Sequence, residues 1–260
     1  MKWAFRVYWQ GMRIAFRSMV AYRANFLLSS TLSILKNLGL PLFTVLIYNA
    51  GGAVPGWSIY ELLLIQSVFT MSRGLCGPLF FSMTWITMDR VREGTYDLML
   101  IRPGPIIIQT LAMAFDPESI GVFFGGLAIF CVSMGHLPAP GVGEIALFIF
   151  LFFIGMIVML GCTLLISAVA FKWVGNSRLF EIYDSVTAFG RYPAGIYPKP
   201  LALILSFVLP VGMIAFFPAS VLLKKLEPYM LLSVIPCVAF LCAGIMLFQH
   251  MVKSYKSAGG

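Results

Sequence analysis

The sequence contains few charged residues and no extended polar stretch. Only 11% of its 260 residues are charged and 60% are hydrophobic, with a mean hydropathy of +0.93. Soluble globular domains carry roughly 25% charged residues, so this composition excludes a soluble globular protein. No polar segment is long enough to fold as a separate soluble domain. We therefore expect an all-α integral membrane protein in which residues 1–260 form a single transmembrane domain.

Groups that could catalyse a reaction or hold a metal ion are also scarce. The two histidines, His136 and His250, fall near opposite membrane faces and cannot share a metal ion. The five cysteines lie in or beside apolar segments without a C-x-x-C pair, so we expect them to pack as small apolar side chains. Neither the P-loop pattern G-x-x-x-x-G-K-[ST] nor the zinc-protease pattern H-E-x-x-H occurs. The sequence thus predicts no catalytic residue, no metal site and no cofactor bound by this chain.

Basic residues outnumber acidic ones, giving a formal net charge of +8. They stand at the ends of apolar segments and not in one polar patch, which argues against nucleic-acid binding and favours a membrane protein with basic cytoplasmic loops. The loops near 49–57 and 136–143 contain no lysine or arginine, while Lys224 and Lys225 are exceptions to the pattern. We expect a bacterial-type inner-membrane protein with both termini in the cytoplasm. The cytoplasmic basic residues would be Lys2, Arg6, Arg13, Arg17, Arg23, Arg90, Arg92, Arg102, Lys172, Arg178, Lys253 and Lys256.

Long apolar runs follow one another along the chain, and about 20 such residues are needed to cross a membrane. Between the fourth and the last run lie two further candidates, residues 176–193 and 201–223. Either one of them crosses, or the first crosses inside a protein bundle while the second enters the outer leaflet as a broken helical hairpin over 197–223. Both alternatives give six crossings. The five clear runs are 26–48, 58–86, 117–135, 144–172 and 229–251.

The first 24 residues have the pattern of an amphipathic helix. Four basic residues recur at spacings of four, seven and four, which places them within about 60° of one another on a helix. Apolar side chains, several of them aromatic, cover the rest of the circumference. We expect a helix over residues 1–24 that lies on the cytoplasmic leaflet and contacts membrane lipids; a disordered basic tail is the alternative. The four basic residues are Lys2, Arg6, Arg13 and Arg17.

A charged segment, residues 89–105, interrupts the apolar sequence. Its sequence "DRVREGTYDLMLIRPGP" contains six charged side chains. Because Asp89 and Glu93 favour a helix N-terminus and Pro103 ends a helix, we expect one short helix over 89–100. A solvated turn is one interpretation, and a docking element for a cytoplasmic partner is the other. The apolar side of the helix would comprise Leu98, Met99, Leu100 and Ile101.

Two blocks of residues contain recognisable motifs. The block "REGTYDLMLIRPGPIIIQTLA" contains the pattern Gly-x-x-Asp-x-x-Leu-x-Arg-Pro, and the block "FGRYPAGIYPKPLALILSFVLPVGMIAFFPASVLL" contains RYP, IYP, PV, PA and LL in this order. In both motifs the sequence resembles the type 2 ABC exporter permeases. The first pattern matches Gly94, Asp97, Leu100, Arg102 and Pro103. The second matches Arg191, Tyr192, Pro193, Ile196, Tyr197, Pro198, Pro210, Pro218 and Ala219.

This resemblance implies a six-span permease subunit that forms half of the translocation pathway of an ATP-driven exporter and is not itself an enzyme. A separate ATPase subunit, in two copies, would hold ATP and magnesium, and a second permease, identical or related, would complete the pathway. The resemblance also implies that residues 89–103 form a coupling helix seated in a groove of the ATPase. It implies a lipid-like, drug-like or glycan-linked cargo. The coupling residues would be Arg92, Glu93, Gly94, Asp97, Leu100, Arg102 and Pro103.

Two cations, Lys36 and Arg73, fall near the middle of the first two predicted spans. A charge at this depth costs about 2.5–3.5 kcal/mol on insertion scales. They either line a central cavity that attracts an anionic group or pack against polar neighbours without contacting substrate. Because like charges repel, we expect an acidic ligand or a protein carboxylate beside them. An ATP-independent secondary transporter that binds substrate through Lys36 and Arg73 is the alternative function. Glu181, Asp184 and Arg191 form a further polar set, expected at a dimer interface or in a cytoplasmic loop.

Overall fold

The computed structural model describes residues 2–173 and 178–255, and the regular elements in these two ranges are all helical. Residue 1, residues 174–177 and residues 256–260, which include the predicted cytoplasmic Lys256, lie outside the described residues. The first nine α-helices in the described residues are α1 (Lys2–Ala21), α2 (Arg23–Asn49), α3 (Ile59–Cys76), α4 (Met83–Arg92), α5 (Asp97–Leu100), α6 (Ile106–Met113), α7 (Ile120–Met134), α8 (Val142–Ala170) and α9 (Arg178–Ala188). They are followed by α10 (Lys199–Leu203), α11 (Phe216–Leu222), α12 (Pro228–Leu232) and α13 (Val234–Ser254).

In the part of the chain that the structure describes, four helical segments are long and apolar enough to cross a membrane, and they overlap the first, second, fourth and last predicted spans. The third predicted span, 117–135, contains the 15-residue α7. At a rise of 1.5 Å per residue this helix is about 22 Å long, which is shorter than the roughly 30 Å hydrocarbon core. The count of six crossings therefore remains a prediction. The four segments are Arg23–Asn49, Ile59–Arg92, Val142–Ala170 and Pro228–Ser254.

The two ambiguous candidates both fold into short helical pieces. In the candidate at 176–193, α9 is followed by a 3₁₀ turn that ends at Arg191, and the described helical length is only about 21 Å. The second is interrupted at Leu209 and Pro210, between helical residues 199–208 and 211–222. None of these three helical pieces has, within the described residues, the roughly 20 residues of a simple span. The interruption lies inside the hairpin predicted over 197–223, and both that hairpin and its position in the outer leaflet stay predictions.

The centre of the protein is formed by α3, α8 and residues 211–222. Helix α11 is buried along its whole length, and α3 is buried over most of its residues. Gly155 on α8 lets the chain at Met213 approach closely, because a Cβ at this position would overlap the Met213 carbonyl oxygen. The Ser72 hydroxyl of α3 donates a hydrogen bond to the Ile214 carbonyl at 3.0 Å. The chain at Met213 and Ile214 is thus held between α8 and α3.

Helix α1 is amphipathic and packs against α6. Its inward residues recur every three or four positions, as expected for one helical face. The Tyr8 hydroxyl donates to the Leu79 carbonyl at 3.0 Å, and its burial raises the pKa of Tyr8 to about 12. Phe5 and Trp9 remain exposed on the other side. The helix expected over residues 1–24 ends at Ala21, and its placement on the membrane surface stays a prediction.

Candidate functional site

The charged segment, residues 89–105, reverses direction at Gly94. Helix α4 ends at Arg92, and Gly94 has a φ of +69°, a conformation that glycine adopts without the steric cost of a Cβ. Its N–H donates to the Val91 carbonyl at 3.3 Å, and the Thr95 N–H donates to the Arg90 carbonyl at 2.9 Å. These two bonds form the Schellman motif that closes many helices. The single helix expected over 89–100 is therefore wrong: the helix stops, and a four-residue α5 follows the turn.

Two buried side chains fasten the charged segment to the helix bundle. Tyr96 is completely buried and packs edge-on against Phe171 at the end of α8, with ring centroids 4.8 Å apart. Met99 is 1% exposed in the same apolar cluster, which also contains Phe248 of α13. Burial of the side chain raises the pKa of Tyr96 to about 12. The ends of α8 and α13 therefore position the segment.

The proline-containing end of the charged segment is held by Gln109. This side chain is buried, and its Nε2 donates to the carbonyl oxygens of Arg102 and Gly104 at 3.2 and 3.1 Å, with Pro103 O at 3.4 Å. Trp3 of α1 lies against Gly104, where a Cβ would overlap its ring. Neither Tyr96 nor Gln109 was among the residues that sequence patterns indicated, although both stand inside the matched block.

The opposite side of the charged segment is an open surface of apolar and charged groups. Leu98, Leu100 and Ile101 are 54%, 42% and 79% exposed. Beside them lies a groove of about 520 Å³ with Asp89, Arg90, Glu93 and Leu98 among its lining residues. Of the predicted coupling residues, Gly94 and Asp97 are half-buried and the other five are exposed: Arg92, Glu93, Leu100, Arg102 and Pro103. An exposed apolar ridge on a firmly anchored base is suited to contact with another protein.

The structure places Lys36 and Arg73 on the same pocket, between α2, α3 and α9. This charged pocket has a volume of about 270 Å³. Polar and charged groups form part of its wall, and aromatic and aliphatic side chains form the rest. Its lining residues are Ser33, Lys36, Asn37, Arg73, Gly77, Phe81, Ser119, Val122, Met159, Phe180 and Asp184.

Arg73 has a carboxylate partner in the charged pocket. Its Nη2 lies 2.9 Å from Oδ1 of Asp184 on α9, and its guanidinium lies 5.5 Å from the centre of the Phe81 ring. The side chain of Arg73 is 17% exposed and that of Asp184 is 43% exposed. The carboxylate expected beside the two cations is thus present. Within the described residues Glu181, Asp184 and Arg191 are not joined by ion pairs, since Asp184 pairs with Arg73 and Arg191 lies 4.5 Å from the centre of the Phe69 ring. Arg191 is still close enough to Asp184 to interact with its charge.

A model of the ABC-2 family of transporter proteins matches residues 35–259 of the chain. The chain belongs to the ABC-2 transporter family. The resemblance to type 2 ABC permeases is therefore confirmed, and membership implies a membrane component of an ABC transporter that works with an ATPase partner. It disfavours the ATP-independent secondary transporter. No curated protein and no solved structure gives a significant match.

The second block matched to the ABC-2 permeases shapes the irregular chain between α9 and α11. The Tyr197 hydroxyl donates to the Phe189 carbonyl at 2.9 Å and closes the turn that follows Arg191. Pro198 precedes α10, and Pro210 follows the end of the helical residues 199–208. Pro218 is buried in α11 and Pro193 is buried beside the half-buried Tyr192, whereas Ile196 and Pro198 are exposed. The block therefore sets local backbone geometry in this ABC-2 protein.

The two exceptions to the lysine and arginine pattern are paired with acids. Lys225 Nζ lies 2.7 Å from Glu61 at the start of α3 and 4.2 Å from the centre of the Trp57 ring. Lys224 Nζ lies 3.9 Å from Glu144 at the start of α8. Because the orientation rule counts lysine and arginine and not net charge, both residues remain exceptions to the predicted orientation. The orientation itself stays a prediction.

Replacing Arg73 with methionine is expected to lower thermal stability, because it leaves the Asp184 carboxylate without its cation in a partly buried pocket. The double variant Arg73→Met/Asp184→Asn removes both charges and is expected to recover part of the loss. Thermal unfolding of the full chain in one neutral detergent measures both effects. A double variant that is as unstable as the sum of the two single variants would show that the ion pair contributes no coupling energy.

Proposed function

We propose that this chain is the transmembrane permease subunit of an ATP-driven ABC exporter and forms half of its translocation pathway. It works with two copies of a separate ATPase, which bind ATP and magnesium, and with a second permease that is identical or related. Family membership supports an ABC transporter with an ATPase partner. The direction of transport and a lipid-like, drug-like or glycan-linked cargo rest on the resemblance to the type 2 exporters alone.

The observation that carries this proposal is the construction of the charged segment. Its inner side is fixed by Tyr96 and Met99, while Leu98, Leu100 and Ile101 point away from the protein. Three exposed apolar side chains beside charges of both signs are costly in water unless another surface covers them. We infer that the ATPase covers them, with Arg92, Glu93, Gly94, Asp97, Leu100, Arg102 and Pro103 at the contact.

Movement at that contact has a direct mechanical path into the membrane domain. Tyr96 packs on Phe171 and contacts Tyr255, so the charged segment bears on the ends of α8 and α13. Closure of the ATPases on ATP would push the segment, and the push would reach α8, which runs through the centre of the protein. An ATP-dependent shift between inward-open and outward-open arrangements follows if the two arrangements differ in affinity for the ATPase conformations.

The proposed membrane arrangement has six crossings, both termini in the cytoplasm of a bacterial-type inner membrane and α1 on the lipid surface. The broken hairpin over 197–223 then lies on the outer side, together with the paired Lys224 and Lys225. Helix α2 exposes many large apolar residues, among them Leu28, Leu35 and Leu42. This face is available to lipid or to the second permease.

Replacing Asp97 or Arg102 with alanine is expected to reduce the amount of P-loop ATPase that co-purifies with the full chain, or to uncouple ATP hydrolysis from transport. Each change removes a charged group from the contact, and Asp97 also begins α5, where a carboxylate stabilises the helix N-terminus. Affinity purification from the native membrane, followed by mass spectrometry and ATPase assays, measures both quantities.

Lys172→Ala is the matched control, because it removes an exposed cation at the same end of the molecule but outside the charged segment. This variant should leave unchanged both the amount of ATPase that co-purifies with the chain (the ATPase recovery) and the coupling of ATP hydrolysis to transport. If Asp97→Ala and Arg102→Ala both retain wild-type ATPase recovery and coupling, residues 89–103 are not the coupling element.

A further inference from the structure

The charged pocket carries an unbalanced positive charge. Arg73 and Asp184 form an ion pair at 2.9 Å and largely neutralise each other. Lys36 makes no ion pair with a carboxylate within the part of the chain that the structure describes. The lining contains no acidic residue besides Asp184, so the pocket has a net charge of one positive unit.

Lys36 is placed where a charge needs compensation. It stands midway along α2, which runs from Arg23 to Asn49 and is a candidate span. If α2 crosses the bilayer, this ammonium group lies near the membrane centre, where a lysine costs about 2.5–3.5 kcal/mol on insertion scales. Such a cost is offset most directly by a counter-ion. Asp184 is the acidic residue that lines the pocket, and its carboxylate is already paired with Arg73.

The remaining pocket walls fit an amphiphile. Two polar residues of α2 lie close to Lys36 in the pocket wall: Ser33, about one helical turn before it, and Asn37, directly after it. Ser119 adds a hydroxyl group. Phe81 and Phe180 face the same space, and on α2 the neighbouring Leu32 and Leu35 are exposed. A volume of about 270 Å³ holds an anionic head and a few carbon atoms, whereas a longer apolar tail must extend along the exposed face of α2.

We propose that the charged pocket binds the phosphate or carboxylate group of an anionic amphiphile, with Lys36 as the contacting cation and Arg73 held back by Asp184. This inference rests on the proposed function, since it names the chemical class of the transported or regulating ligand. It makes Asp184 a residue that limits anion binding: removing its charge frees Arg73 and gives the pocket a second cation.

The test is thermal unfolding of the full chain, purified in a neutral detergent, in the presence of three probes. Short-chain phosphatidylglycerol should raise the unfolding temperature in a saturable way, because a ligand that binds only the folded state stabilises it. Phosphatidylcholine of the same chain length should not. Inorganic phosphate distinguishes a free anion from a lipid headgroup. If phosphate raises the unfolding temperature and the rise depends on Lys36, the anion alone suffices for binding. If phosphate does not raise the unfolding temperature, the apolar part of the ligand is also required.

Lys36→Met is expected to weaken apparent phosphatidylglycerol binding on the order of tenfold or more, because it removes a charge-assisted contact. Lys36→Arg should retain most of the binding. Asp184→Asn should tighten it on the order of tenfold. Lys199→Met is the matched control, since it removes an exposed lysine outside the pocket and should leave the shift unchanged. No saturable shift in the wild type, or an undiminished shift in Lys36→Met, overturns the proposal.

A second measurement covers the case in which Lys36→Met does not fold. A cysteine introduced as Ser33→Cys, in a background without the five native cysteines, should react faster with an anionic methanethiosulfonate than with a cationic one. Equal rates, or a faster reaction with the cationic reagent, also overturn the proposal. Loss of ATPase recovery in the Asp97 and Arg102 variants is measured independently, so failure of the pocket and failure of the coupling proposal give different results.

Discussion

Replacing Gly155 with alanine is expected to destabilise the protein by about 3 kcal/mol, at the upper end of the usual cost of overpacking. The added Cβ would overlap the Met213 carbonyl oxygen and lie 3.0 Å from the Ile214 Cα. Both obstructing atoms belong to the backbone, so no side-chain rotation can relieve the clash. Residues 211–214 would have to move away from α8, and the hydrogen bond from Ser72 to Ile214 would be strained or lost.

Gly143→Ala provides the matched control, because Gly143 is in the same helix and a Cβ there meets nothing within 4 Å. This variant should keep the wild-type unfolding temperature or raise it slightly, since alanine favours helix over glycine. Thermal unfolding in a single detergent compares the three proteins. If Gly155→Ala unfolds together with Gly143→Ala and the wild type, the close packing of α8 on residues 211–214 is incorrect.

The sequence predicted the long helices because hydropathy is a local property. Apolar runs at 26–48, 58–86, 144–172 and 229–251 each correspond to a helix that is long enough to span. It could not predict that residues 213–222 are all buried. Their burial depends on α3 and α8, which come from distant parts of the chain, and on the space left by Gly155.

The charged segment shows which local signal was overlooked. The positions of Asp89, Glu93 and Pro103 predict one helix over 89–100, and the family motif that includes Gly94 does not change that prediction. A glycine directly after Arg92 and Glu93 also indicates a helix C-terminus, and the structure has the corresponding Schellman bonds. The backbone freedom of Gly94 therefore favours a turn at this position, which the charge pattern does not predict.

The charged pocket was predictable in part. Lys36 and Arg73 fall at similar depth on consecutive antiparallel spans, so their approach and the need for a nearby carboxylate could be expected. The identity of that carboxylate could not. Asp184 is far along the chain, and the sequence spacing favoured Arg191 as its partner, whereas the structure turns Arg191 toward Phe69. The position of α9, which packs mainly on α8, decides between these partners.

Replacing Tyr96 with alanine is expected to uncouple ATP hydrolysis from transport without changing any exposed residue of the charged segment. Tyr96 is completely buried and contacts Phe171 and Tyr255 with ring centroids 4.8 and 5.7 Å apart. Removing a buried aromatic ring costs about 3–5 kcal/mol, and here that loss falls on the attachment between the segment and the ends of α8 and α13. The segment would still present Leu98, Leu100 and Ile101, but on a loosened base.

The matched variant Tyr96→Phe keeps the ring and should retain coupling. Hydrogen exchange of residues 93–105 measures the attachment directly: we expect faster exchange in Tyr96→Ala and wild-type exchange in Tyr96→Phe. ATPase recovery on purification should fall less than coupling does, because the docking groups themselves remain. If Tyr96→Ala exchanges and couples as the wild type does, the push from the ATPase reaches the membrane domain by another route, and the packing of Tyr96 on Phe171 serves stability alone.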